Sequence, residues 1–196
     1  MDLNLKQSWA VILGAIVVTT GFYGVSHFSK YKSDIVIQLA DFMEVVALPY
    51  RIAHLSTLTP DETIEMPVYG VNIREIEDSF GDPRSGGRSH RGIDIFAKRG
   101  TPVYAATKGF VLRVGESELG GNYVWTVGPG GRRYYYAHLN SFAEEIKFGN
   151  PVTTDTVIGY VGNTGNASTT PPHLHFEMRI PGEGATNPFG ILVNRG

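Results

Sequence analysis

Three short segments of the chain carry side chains of the kind that hold catalytic metal ions. Four of the six histidines fall within them. Neutral imidazoles and carboxylates are the usual ligands of a catalytic zinc ion, which keeps one coordination position open for water. Together the segments predict a zinc site built for hydrolysis. They are His90-Arg91-Gly92-Ile93-Asp94, Tyr136-Ala137-His138-Leu139 and His173-Leu174-His175-Phe176-Glu177.

The third segment has the pattern of a β-strand with two histidines on one face. Alternate residues of a strand share a face, so His173 and His175 should project together while Leu174 and Phe176 enter the core. Two imidazoles placed in this way can share a metal, or one can bind it while the other faces a substrate. Taken alone, an H-x-H pattern also fits a solvated strand with two surface histidines.

The first segment supplies a carboxylate. Its glycines disfavour a helix, so the spacing of four between His90 and Asp94 is not a helical one. Ile93 and Ile95 alternate with Asp94, and we expect Asp94 to point away from these two side chains. His90 then lies on the incoming loop and can fold back toward the same face.

The second segment ends in a histidine that follows two tyrosines. Tyr134, Tyr136 and His138 alternate along the predicted strand, so their side chains are expected on one face. A core histidine bonded to a tyrosine is the alternative interpretation. Because each segment supplies a residue type that the others lack, the joint pattern favours the metal site.

The order of the motifs makes the pattern specific. G-R-S-H-R-G-I-D-I-F-A, G-T-P-V-Y-A-A, G-G-N-Y-V, Y-A-H-L, G-Y-V-G-N-T-G and P-H-L-H-F-E follow one another along the chain. In this the sequence resembles the lysostaphin/LytM-type zinc endopeptidases, the M23 peptidase family, which cleave peptide cross-links of bacterial cell-wall peptidoglycan. The resemblance covers about residues 66 to 180.

The resemblance implies a role for each of five residues. It makes His90, Asp94 and His175 the ligands of Zn²⁺, and it makes His138 and His173 catalytic residues that do not bind the metal. Spacing alone leaves this division open. Three ligands leave a fourth position for a water molecule, whose pKa zinc lowers to about 7. Glu177 shares the strand parity of His175, and we expect it to support a ligand or the fold rather than to act as the general base.

The expected function is that of a zinc-dependent endopeptidase that hydrolyses peptide cross-links of peptidoglycan with a zinc-activated water. Residues 120–122 and 162–166 would border a groove for an extended peptide. Two alternatives are a non-catalytic wall-binding module that activates a partner hydrolase and a closed structural zinc site. The absence of cysteine disfavours the latter. Neither the cross-link cleaved nor a regulatory protein partner can be identified from the sequence.

Composition bears on the partners and on the fold class of the protein. The net charge of -2 over 196 residues provides no basic surface for a nucleic acid, which is excluded as a partner. The 24 glycines and many aromatic residues indicate short strands joined by tight turns. Because the links are too short for parallel crossovers, the fold class is mostly β with antiparallel strands. The resemblance implies that this is a peptidase domain of the LytM type. Its predicted strands are 101–106, 110–114, 123–127, 133–138, 157–161 and 173–179, and residues 141–147 are the one further candidate helix.

The N-terminal part is predicted to be separate from this domain. Residues 9–25 lack charge and are slightly shorter than the ~20 residues that span a bilayer. Their best small-x-small cleavage site, Gly24-Val25-Ser26, is weak, which favours a signal anchor over a cleaved signal peptide. An amphipathic helix is expected over 33–48, capped by Ser33 and ended by Pro49. The predicted organisation is therefore 1–30 anchor or signal peptide, 31–62 helical linker and 63–196 peptidase domain. The anchor would contact the inner membrane and place the domain on the periplasmic or extracellular face of the cell envelope.

Overall fold

A computed structural model describes residues 46–196 of the chain. The predicted anchor or signal peptide over 1–30 and the part of the helical linker before residue 46 lie outside the described residues. Within the described part, none of the helices has the length and apolar character needed to cross a membrane. Residues 48–196 form a compact unit.

Residues 46–57 are helical, so the prediction that Pro49 ends a helix is wrong. Proline lacks an N–H and therefore removes one hydrogen bond from a helix interior. Burial of Leu48 and Leu55, which lie seven residues apart on one face, provides a packing energy that offsets this loss.

The rest of the compact unit is built from short strands, as predicted, and only the pair β1–β13 is parallel. Nine strands, β4 to β12, belong to the main sheet. All six predicted strands are present, with shifted ends. The strands of residues 46–196 are β1 (Ile64–Glu65), β2 (Pro83–Arg84), β3 (Arg88–Ser89), β4 (Ile93–Phe96), β5 (Pro102–Tyr104), β6 (Gly109–Ser117), β7 (Gly121–Val127), β8 (Arg133–Phe142), β9 (Pro151–Val152), β10 (Val157–Val161), β11 (His173–Ile180), β12 (Gly184–Thr186) and β13 (Leu192–Val193).

Strand β11 lies between β4 and β8 and brings the three histidine-containing segments together. His175 pairs with Asp94 of β4 on one side and with Ala137 of β8 on the other. Leu174 and Phe176 are fully buried, as the alternation predicted. The face of β11 that carries the two histidines is therefore turned away from the apolar core.

The helix predicted over residues 141–147 is absent. Strand β8 continues to Phe142 instead, because Ser141 and Phe142 pair with Tyr160 and Gly159 of β10. Past Phe142 the chain forms only a turn, which Ile146 closes by donating its N–H to the Ala143 carbonyl at 3.1 Å. Cross-strand pairing thus overrides the local preference of this segment.

Two glycine turns meet beside the end of β8. Gly165 has φ +69° and Gly121 has φ +59°, a backbone region that side chains with a Cβ rarely adopt. A Cβ on Gly165 would lie 2.2 Å from the Gly121 nitrogen. Thr164 strengthens this contact, since its hydroxyl accepts from Asn122 N–H and donates to the Leu139 carbonyl, both at 2.9 Å.

Replacing Gly165 tests how closely these turns must approach. We expect Gly165→Ala to lower the free energy of unfolding by about 2–4 kcal/mol, because it adds a steric overlap to the cost of a positive φ. Gly182→Ala is the matched control, since Gly182 has φ +83° and open space where its Cβ would lie. Urea unfolding at neutral pH measures both variants. Equal losses in the two would contradict the role of the close contact.

Candidate metal centre

The side chains of His90, Asp94 and His175 converge on one point above the sheet. His90 Nε2 lies 2.8 Å from His175 Nδ1 and 3.1 Å from Asp94 Oδ1, and His175 Nδ1 lies 3.0 Å from the same oxygen. Ligand atoms bound to one tetrahedral zinc ion are about 3.3 Å apart, given bonds of about 2.0–2.1 Å. The three atoms therefore form a group that fits a single metal ion.

Each of the three residues also has an outward hydrogen bond that orients its inward atom. His90 Nδ1 lies 2.7 Å from the Ser79 carbonyl, and the tautomer that donates to it leaves Nε2 free. Arg84 Nη2 is also 2.7 Å from this Nδ1 and donates at 2.6 Å to Asp94 Oδ2, the oxygen that faces away from the group. His175 Nε2 lies 3.1 Å from Glu177 Oε1, which leaves its Nδ1 for the metal.

Hydrogen bonding outweighs burial at the acidic residues of the centre. Burial alone would raise the pKa of Asp94, but hydrogen bonds with His175 and His90 hold that pKa well below its usual range. Burial also opposes ionisation of Glu177, and its contacts with His175 and Arg179 nevertheless lower its pKa. Both carboxylates are thus ionised, which is the state that binds cations.

The other two histidines lie next to this group without joining it. The rings of His138 and His173 are 5.0 Å apart between centroids, and both side chains are buried from most solvent. His138 Nδ1 is 2.9 Å from the Thr164 carbonyl, and His173 Nδ1 is 2.9 Å from the Pro171 carbonyl. Donation to these carbonyls leaves a lone pair on each Nε2, and that of His173 lies 3.9 Å from Asp94 Oδ1.

The prediction that His138 shares a face with Tyr134 and Tyr136 is wrong. Both tyrosines are fully buried in the core, whereas His138 lines the cleft. A β-bulge causes the difference: between the pairs Asn122–Leu139 and Val124–Tyr136, β8 contains one more residue than β7. His138 has φ 61°, the one positive φ at a non-glycine residue in the described part of the chain. The extra residue turns its imidazole toward the metal centre.

A second layer of contacts extends from Glu177 to the wall of the cleft. Arg179 donates to Glu177 Oε2 through Nε at 2.9 Å and Nη2 at 2.7 Å. Its guanidinium carbon lies 4.8 Å from the ring centre of Trp125, which stacks on Tyr135 with centroids 4.5 Å apart. The sequence analysis singled out Glu177 but not Arg179, Trp125 or Tyr135. Strand parity could have found Arg179, which shares the face of His175 and Glu177.

The metal centre opens into a cleft of about 790 Å³. Gly120 and Asn166, from the two glycine-containing stretches expected to border a groove, both line it. The backbone N–H of His138 donates to the Gly120 carbonyl at 2.8 Å, which holds His138 at the cleft. The five predicted site residues therefore lie together in this one cleft.

Comparison with known proteins identifies the class of this fold and site. The sequence profile described as Peptidase family M23 matches residues 88–188, which is more than half of the chain. The chain belongs to peptidase family M23. Its members are zinc metallopeptidases, and the His90, Asp94 and His175 group agrees with the expected Zn²⁺ cofactor.

Similar proteins are named as peptidases, and one of them, from Vibrio cholerae, is named as a peptidoglycan DD-endopeptidase. The L-Ala–D-Glu endopeptidase of Bacillus subtilis is 41% identical over 110 residues, which are 51% of this chain and 33% of that protein. The catalytic domain of the antimicrobial peptidase lysostaphin from Staphylococcus simulans has a TM-score of 0.54 at 31% identity, covering 60% of this chain and 92% of that domain. A zinc-containing peptidase from Vibrio cholerae has a TM-score of 0.50 at 30% identity, covering 60% of this chain and 36% of that protein. The chain thus spans a third or less of the length of the curated relatives it matches.

The environment of His138 predicts a pH dependence of stability. Burial lowers the pKa of His138 from 6.5 to about 4. Between these pH values the unfolded chain binds more protons than the folded one, so stability falls as the pH falls. We expect wild type to lose on the order of 2–3 kcal/mol more than His138→Gln between pH 7 and pH 4.

Urea unfolding with a chelator present measures this difference without competition between protons and a metal. The backbone cost of a non-glycine residue at position 138 is the same in both proteins and does not change with pH. Parallel stability curves for the two proteins would contradict the assigned burial effect.

Proposed function

We propose that this protein is a zinc-dependent endopeptidase that hydrolyses peptide cross-links of bacterial peptidoglycan. The observation that carries the proposal is the convergence of three metal-binding atoms beside two further imidazoles in an open cleft. Membership of a peptidase family supports it, as do similar proteins named as an L-Ala–D-Glu endopeptidase and a peptidoglycan DD-endopeptidase. Cleavage, rather than binding alone, is favoured because all five site residues are present.

His90, Asp94 and His175 would hold the zinc ion through Nε2, Oδ1 and Nδ1 respectively. Two neutral imidazoles and one carboxylate suit zinc, and together they leave a net positive centre. When bound, zinc supplies a Lewis acid that polarises the scissile carbonyl and lowers the pKa of water to about 7. Glu177, Arg84 and Ser79 would keep the three ligand side chains in place.

His138 and His173 would act as the general base and as the general acid or oxyanion stabiliser of the reaction. Each has Nδ1 beside a backbone carbonyl, so its Nε2 can accept or donate a proton in the cleft. The lowered pKa of His138, about 4, keeps this residue neutral near pH 7, and it therefore enters the reaction as a proton acceptor. One of the two takes a proton from the attacking water, while the other stabilises the developing oxyanion or protonates the leaving amine.

Peptidoglycan lies outside the inner membrane, so we infer that the domain works on the periplasmic or extracellular face of the cell envelope. The cell-wall relatives support this location. Attachment to the inner membrane through residues 1–30 stays a prediction from the sequence. The cleft has room for an extended peptide that passes over the metal centre.

Separate substitutions distinguish metal binding from proton transfer. We expect His175→Ala to lose zinc, and His138→Ala to keep zinc while turnover falls at least about 100-fold. Metal analysis of the purified proteins and mass spectrometry of fragments released from purified cell wall provide the two readouts. His54→Ala is the control, because His54 is exposed and lies outside the cleft. Equal release by all variants would contradict an enzyme, and binding to cell wall without release would favour the alternative of a non-catalytic module.

The contact between Glu177 and His175 predicts an effect on metal affinity. Glu177→Gln keeps an oxygen near His175 Nε2 but removes the charge and leaves Arg179 without its partner. We expect zinc affinity to fall about 10–100-fold, because support of a ligand from outside the metal shell is lost. Competition with a chelator of known affinity measures the change, and Glu183→Gln, at an exposed position, is the control. Unchanged zinc affinity in Glu177→Gln would contradict this role.

A further inference from the structure

The charge of the cleft differs in sign from that of the chain. The whole sequence has a net charge of -2. The residues around the metal centre include four arginines but only two carboxylates, and a bound zinc ion adds to the positive side. A cleft of one charge sign concentrates ligands of the opposite sign. These charged residues are Arg84, Arg88, Arg91, Arg179, Asp94 and Glu177.

Two of the arginines are already neutralised. Arg84 pairs with Asp94 at 2.6 Å, and Arg179 pairs with Glu177 at 2.7 Å. Both carboxylates are largely buried, so these pairs are part of the protein's own structure. The charge available to a ligand must therefore come from the other two arginines.

Arg88 and Arg91, here called the arginine rim, are exposed, and neither pairs with a carboxylate of the described residues. Arg88 donates to neutral atoms of Ser85, through Nε at 3.1 Å to the carbonyl and Nη2 at 3.4 Å to the hydroxyl. Within residues 46–196, Arg91 has neither a hydrogen bond nor an ion pair from its side chain. A guanidinium presents a fork of N–H groups that matches a carboxylate. The rim can therefore offer two such forks.

The arginine rim is held at a fixed place relative to the metal centre. Arg88 pairs with Arg84 across the hairpin of β2 and β3. Arg84 in turn donates to Asp94, so the hairpin is tied to one of the metal-binding residues. Arg91 directly follows His90 along the chain. Both arginines line the same cleft as the metal centre.

A second recess, which Arg84 also lines, carries negative charge. Its lining includes Glu75, Glu77 and Asp82, which would repel an anion. A negatively charged group of a bound peptide would avoid this recess and move toward the arginine rim. The two surfaces therefore give the cleft a charge polarity that can orient a peptide.

We propose that the arginine rim selects peptides with a free carboxylate on a residue next to the scissile bond. This inference rests on the proposed peptidase function and specifies its substrate class. A cross-link formed through the side-chain amine of a diamino acid can carry such a carboxylate, whereas a glycine inside an all-glycine bridge does not. The rim would therefore favour the first kind of cross-link over the second.

Binding of two matched peptides tests the selection. One synthetic peptide carries a free carboxylate on the leaving side of the scissile bond, and its twin has that group amidated. The full chain with His138→Ala provides a zinc-loaded protein that does not consume them. By calorimetry we expect the free acid to bind about tenfold more tightly. Adding Arg88→Gln and Arg91→Gln should make the two affinities equal, and raising NaCl to about 0.5 M should narrow the difference.

Arg133→Gln in the same background is the control, because Arg133 is exposed and does not line the cleft. It should keep the preference for the free acid. Zinc content and circular dichroism verify that each variant is folded, and Arg91→Gln alone provides a milder change. A preference for the amidated peptide, or one that survives loss of both arginines, would overturn the proposal.

Turnover by wild type separates this inference from the function on which it rests. If wild type cleaves both peptides in a zinc-dependent way and the two bind with equal affinity, the selection by the arginine rim is contradicted and the proposed peptidase function stands. Preferential binding of the free acid without any cleavage would support the rim and contradict the peptidase.

Discussion

His175 lies opposite Asp94 on one side and Ala137 on the other, and this strand register assembles the metal centre. A shift of one residue would move His175 to the core face and bring Leu174 or Phe176 to the cleft. Complete burial of these two apolar side chains prevents such a shift. The apolar core thereby fixes the position of polar groups that contribute little to it.

The metal centre buries many polar groups, and nearly all of them must therefore have a hydrogen-bond or ion-pair partner. Asp94 and Glu177 would resist ionisation if burial acted alone. Arginines on the far side of each carboxylate provide the compensating charge, and backbone carbonyls bind the outer nitrogens of three imidazoles. The inner atoms of the three ligand side chains then face one another. A metal ion can therefore bind to atoms that are already oriented.

Much of this arrangement could be predicted from local patterns, and the exceptions have physical causes. Alternation placed Asp94, His173 and His175 correctly, because β4 and β11 are regular here. It failed at His138, since a bulge depends on the partner strand and leaves no mark in the sequence. The expected helix at 141–147 lost to pairing with β10. The contact between Arg84 and Asp94 was also missed, as it arises from a hairpin folded over the site.

The backbone at His138 has a consequence for how this domain can be improved. A left-handed conformation at a residue with a Cβ costs about 1–2 kcal/mol, and glycine would remove that cost. Selection for heat resistance alone would therefore favour losing this imidazole. We interpret the retention of this strained backbone as support for the proposed role of His138 in proton transfer, so variants engineered for stability should keep this residue.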